Sequence, residues 1–149
     1  MISLKRKQSG FTIVELLIVI VVIGILAAIV ITTFTGVQKK GRDADRKSDI
    51  NAIYSQVEVY FAQNSKYPTV ANLNDDTWRN ANVKGLTDDA ITAPGGTDAL
   101  VATGAATSNY AYVATPNNCD NGANGDCTGF TLTATLESGG TFVKTGSNN

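Results

Sequence analysis

The chain has 149 residues, with 12 basic and 13 acidic side chains and no histidine. Near-neutral charge leaves no basic domain of the kind that binds nucleic acid, and the lack of histidine removes the commonest general base and metal ligand. With about 38 residues in a leader and an apolar segment, about 110 remain, enough for one small globular domain.

Residues 1–10, MISLKRKQSG, carry Lys5, Arg6 and Lys7 and no acid. Cations before an apolar span keep that end cytoplasmic. Loss of those three would leave nine basic against 13 acidic side chains, a mildly acidic remainder. From Leu16 to Val37 no residue is charged, and these 22 residues, at about 1.5 Å each, reach about 33 Å, enough to cross a bilayer. Lys39, Lys40 and Arg42 on the far side weaken the charge asymmetry, although Asp43, Asp45 and Asp49 are mixed with them. A secretory signal peptide has a shorter apolar region, about 7–15 residues, before its cleavage site. A plain signal anchor accounts for the hydrophobicity but not for Glu15, at the start of the run. An ionised carboxylate costs about 2.5–3.5 kcal/mol at mid-bilayer, less near the interface, so Glu15 is a candidate functional residue.

The stretch SGFTIVELLIVIVVIGILAAI resembles the class III leader and N-terminal segment of type IV pilins and the related pseudopilins. Gly10, Phe11, Thr12, Glu15, Leu16 and Leu17 match the family pattern, closely over residues 1 to about 35 and more loosely to about Pro68. The resemblance implies that an aspartyl prepilin peptidase cuts between Gly10 and Phe11, removes the basic leader and methylates the new amine of Phe11. It also implies that Glu15 pairs with a Phe11 amine, on its own chain or on a neighbouring subunit. The implied partners are other pilin subunits in a homopolymer, minor pilins, the assembly platform and, before assembly, membrane lipid. Many type IV pilins have a helix-breaking proline eight residues after the equivalent of Gly24; here the position is Thr32.

The pattern predicts one helix from Thr12 to about Asn64, a rod of about 80 Å. Ile50, Ile53, Tyr54, Val57, Tyr60 and Phe61 recur at three- and four-residue spacing and mark an apolar face on its second half. Gly24 and Gly36 are candidate loosening points; Gly24 is equally a candidate close-packing position between membrane helices. Asn64-Ser65-Lys66-Tyr67-Pro68 should end the helix. Residues 69–108 read as a connecting loop in which Leu73 and Trp78 could anchor a short helix. Tyr110–Val113 is a short strand, and Phe130, Leu132, Ala134 and Leu136 alternate with threonines in a second. Ser138-Gly139-Gly140 turns into a third, Thr141–Lys144, and the tail from Gly146 to Asn149 should fray. The expected fold is α+β: a long N-terminal helix, membrane-spanning then amphipathic, packed on a C-terminal antiparallel sheet of three or four strands. The expected divisions are leader 1–10, membrane helix 11–37, amphipathic helix 38–64 and globular head 65–149.

Cys119 and Cys127 lie close together behind a membrane segment, which suits an oxidising exterior and a disulfide; the alternative is two free thiols. Between them, Asp120 to Asp126 faintly resembles a calcium loop, but glycine replaces the third ligand and Thr131 stands at the slot of the bidentate glutamate. The Asp75-Asp76 and Asp88-Asp89 pairs read as solvated charges. The basic cluster Lys39, Lys40, Arg42, Arg46 and Lys47 reads as a solvated helix face or an ion-pair network between subunits, with lipid headgroups and DNA as weaker alternatives. The expected function is therefore a non-catalytic structural subunit without cofactor or metal. It would be held in the inner membrane with its head outside, then polymerised into a surface pilus for adhesion, motility or DNA uptake. The alternatives are a pseudopilin of a type II secretion or competence system and a monomeric membrane-anchored binding module.

Overall fold

A computed structural model describes residues 10–96 and 99–147, so the basic leader before Gly10 and the last two residues lie outside the described residues. The chain forms two compact units, Met1–Gln38 and Lys39–Asn149. Helix α1, Ile13–Asn64, runs unbroken through Gly24, residue 32 and Gly36.

In the second unit α1 is amphipathic as its spacing predicts. Ile50, Ile53 and Val57 are fully buried, and Tyr60 nearly so. They meet Tyr110, Tyr112, Phe130, Leu132 and Ala134 from a three-stranded antiparallel sheet of order β1-β2-β3. Its strands are β1 (Tyr110–Thr115), β2 (Gly129–Thr135) and β3 (Thr141–Ser147). The register pairs Tyr112 with Leu132 and Leu132 with Lys144. Phe130 lies at the centre of the aromatic packing, with ring centroids 4.9 Å from Tyr67, 5.3 Å from Tyr112 and 5.9 Å from Tyr54. Beside it, the Lys144 ammonium sits 5.5 Å from the Tyr54 ring centroid and 5.8 Å from that of Phe142. Val101 bridges to the outer edge of β1, donating to Tyr110 O and accepting from Tyr112 N.

Four expectations are corrected. The tail does not fray at Gly146, which is buried within β3; a Cβ there would strike the Glu58 carboxylate and the Phe130 ring. The segment after Pro68 holds three short helices, α2 (Val70–Asn74), α3 (Asp76–Asn82) and α4 (Asp88–Ile91). A reciprocal Thr69–Asn72 capping box starts α2, and Asp75 caps α3 through the Trp78 amide. The paired aspartates are not simply solvated: Asp76 and Asp88 both hold the buried Arg79 guanidinium, which also donates to Leu73 O at 2.6 Å. The basic cluster on α1 also divides. Arg46 is only 1% exposed and donates to Asp43, Glu137, Pro94 O and Thr107 O. Arg42 makes a two-pronged pair with Glu137 at 2.7 and 2.5 Å. Asp43 accepts the Glu137 and Ser138 amides at 2.8 and 2.9 Å. These contacts fasten the β2–β3 turn to α1.

The helix ends with Ser65 in the left-handed region at φ 58°, its amide donating to Phe61 O, while the Asn64 side chain caps Tyr60 O. Cys119 and Cys127 form a disulfide. Its loop is sewn to the helix exit: Tyr67 N donates to Cys127 O, and Asn121 donates to Tyr67 O and accepts from Cys127 N.

Two outcomes follow from these contacts. Burial alone would raise the Asp43 carboxyl, but the Ser138 hydroxyl, the two amides and Arg46 outweigh it and hold it at about 2. Bonds from Arg42 and Arg46 bring Glu137 to about 2. Both ionise near 4 in an unfolded chain, so their stabilisation is complete above about pH 4 and is lost on acidification towards 2. Urea unfolding of the detergent-solubilised chain across that range should show the loss, and Asp43→Asn should flatten it while lowering stability at neutral pH. Replacing Cys119 and Cys127 by serine should cost about 2.5 kcal/mol in the same assay, the entropy of closing a nine-residue loop, and leave the sheet intact.

Candidate functional site

Gly10 and Phe11 precede α1 and are exposed, Phe11 to 84%. Thr12 is the residue before the first helical position, and Glu15 is the third helical residue. Glu15 N donates to the Thr12 hydroxyl at 3.2 Å, and one Glu15 carboxylate oxygen accepts the Thr12 amide at 2.8 Å and its hydroxyl at 2.9 Å. This reciprocal arrangement satisfies amide donors that an α-helix start leaves unpaired, and it places a negative charge at the positive end of the helix dipole. The signal was present in the sequence as Thr12-Ile13-Val14-Glu15, a threonine followed three residues later by glutamate before an apolar run. Reading the carboxylate only as a costly charge in an apolar segment overlooked it.

Phe11, Glu15, Leu16, Ile18 and Val19 surround a shallow, mostly apolar hollow of about 500 Å³. Beyond it, the large apolar side chains from Leu16 to Val37 are exposed around the whole circumference of the helix. A helix apolar on every side requires lipid or other apolar helices around it. The segment is long and apolar enough to cross a membrane. Thr33 Oγ1 bonds back to Ile29 O at 3.0 Å, which satisfies its hydroxyl inside the helix.

The remaining candidate sites are placed elsewhere. The Asp120 carboxylate accepts the Gly122 and Asn124 amides at 2.8 and 2.9 Å and the Asn124 side chain at 2.9 Å. Those bonds, the Asn124 amide foremost, pull its pKa down and occupy the oxygens a cation would need. Among the described residues, no group of three or more His, Cys, Asp or Glu side chains is placed to hold a metal ion.

Residues 5–31 match a family model described as the prokaryotic N-terminal methylation motif. Type II secretion system core protein G of Dickeya chrysanthemi is 41% identical over 66 residues, covering 44% of this chain and 43% of that protein. The same protein of Aeromonas hydrophila is 42% identical over 65 residues, 44% of this chain and 46% of its own length. Type IV major pilin protein PilA of Myxococcus xanthus is 36% identical over 66 residues, 44% of this chain and 30% of its own length. The N-terminal part of the chain is thus similar to that of type IV pilins and type II secretion pseudopilins. The alignments span less than half the length of these pilin and pseudopilin relatives. No solved structure matches significantly.

The Thr12–Glu15 box can be tested apart from any assembly. Thr12→Val should remove about 1 kcal/mol from the start of α1. In detergent micelles, exchange of the Glu15 amide, which bonds to the Thr12 hydroxyl, should quicken about fivefold, and exchange in the sheet should not change.

Proposed function

We propose that this chain is the structural subunit of a type IV pilus. It is held in the membrane through Leu16–Val37 with its head outside, cut after Gly10 and N-methylated at Phe11. It is then polymerised through the N-terminal part of α1 for adhesion, motility or DNA uptake. The observation that carries the reading is a capped acid, Glu15, one turn after an exposed Gly10-Phe11 junction, at the start of a helix whose apolar side chains lie open on every side. Cleavage creates a cationic amine at Phe11, four residues before Glu15 and just ahead of α1. Leaving either charge unpaired in an apolar surround costs several kcal/mol, so pairing of Glu15 with the amine of the next subunit favours one register. The proposed partners are the peptidase and methyltransferase, further copies of the chain, minor pilins and the assembly platform, and no catalytic role is assigned.

A second reading, a pseudopilin of a type II secretion or competence system, is favoured by the resemblance to core protein G at 41 and 42% identity. Antibody to the head, applied to sheared cells under the electron microscope, separates the two: label along long surface fibres supports the pilus, and its absence supports the pseudopilin. Mass spectrometry of assembled material should find a chain beginning with N-methylated Phe11; an intact Met1 would contradict the proposal, as a monomeric anchored binding module predicts. Glu15→Val should be processed and stay in the membrane, yet enter filaments poorly. Normal filament yield from that variant would sink the pairing argument.

A further inference from the structure

Arg42 and Arg46 are consumed within the chain, but other charges on this part of α1 and on the neighbouring α4 are not. Lys40, Lys47, Asp45 and Asp89 are exposed, and among the described residues none of them makes an ion pair. At about 100° per residue and with Val57 marking the buried direction, Lys47 and Lys40 fall about 80° and 100° to one side of the helix. Asp49 and Asp45 fall about 80° and 120° to the other. The helix thus has a basic flank and an acidic flank, separated by the face that carries the sheet.

The acidic flank is crowded. Asp49 accepts the Tyr110 hydroxyl at 2.7 Å and is half-buried. Burial, then the charges of Asp45 and of Asp89 on α4, raise its pKa, against the opposing effects of the Tyr110 bond and Arg46. The one neighbouring guanidinium is already shared among Asp43, Glu137, Pro94 O and Thr107 O. A cation on a neighbouring copy would relieve this repulsion.

We propose that Lys40, on the basic flank of one copy, docks against the Asp45–Asp49–Asp89 flank of the next, a head-to-tail contact between parallel helices. Because the two patches lie on opposite sides of one helix, the contact is heterologous and repeats from copy to copy without exhausting itself. In parallel copies, Lys40 comes level with the neighbour's Asp45–Asp49 stretch at a displacement of five to nine residues, about 7.5–13.5 Å along the axis. Single exposed ion pairs contribute little, but this pairing selects a neighbour's side and offset, where like flanks repel.

The inference rests on the polymerisation proposed above, and a charge swap in the full chain tests it in producing cells. Lys40→Glu and Asp45→Lys should each lower the yield of sheared filaments several-fold without altering N-terminal processing. The double variant, with the charges exchanged, should recover most of the yield. Cysteines at positions 40 and 45 should crosslink successive subunits into ladders under oxidation. If the parent chain forms no filament, the polymerisation reading fails. If the parent polymerises and the single variants match it, the flank pairing fails. The pairing also fails if the double variant recovers nothing, the result expected if Lys40 instead served lipid headgroups.

Discussion

A guanidinium can be buried only where oxygen acceptors meet its donors, and Arg46 satisfies this by gathering three parts of the head. Its acceptors come from the Pro94 segment, the Thr107 segment and the β2–β3 turn, besides Asp43 on its own helix. The sheet reaches α1 through apolar packing, which is strong but non-directional. Arg46 and its carboxylates add direction: they fix which turn of the helix faces the hairpin, and hence which residues the sheet covers and which it leaves on either flank. The buried Nε of Arg46 has no hydrogen-bond partner, the single unsatisfied buried side-chain polar atom among the described residues. Its cost is set against four good acceptors.

The same helix meets two different demands. From Leu16 to Val37 apolar residues point in every direction, and from Ile50 most of them keep to one face, with Val59 the large exposed exception. The change of pattern is a change of solvent. Polar atoms in the first stretch are satisfied locally, Thr12 and Glu15 by each other and Thr33 by its own turn. In the second stretch the charges are divided between those spent on the head and those left facing outward.

Regular periodicity and turn chemistry made the helix, the β2 alternation and the Gly139-Gly140 turn legible from residues alone. The threonine-glutamate start is equally legible in principle, but a lone acid before an apolar run reads as a charge as readily as it does as an acceptor. Other features were not readable. Arg42, Asp43 and Arg46 look like any mixed-charge helix face, and only the hairpin returning from 91 residues or more away makes their partner, Glu137, visible. Arg79 lies similarly between Asp76 and Asp88, whose sequence context is that of a polar loop. The short helices after Pro68 are too brief to show a period; for α2 and α3, caps and not apolar spacing define the start.

The position of Lys144 has a consequence for how the head meets other chains. The outer edge of β1 is covered by Val101, but β3 lies at the margin of the sheet, where an extended strand could be templated. Lys144 points inward from that margin, its ammonium resting on the Tyr54 and Phe142 rings. Any strand laid alongside would have to wall in a charge that has only ring faces for company. The open edge is thus guarded against pairing with a further strand.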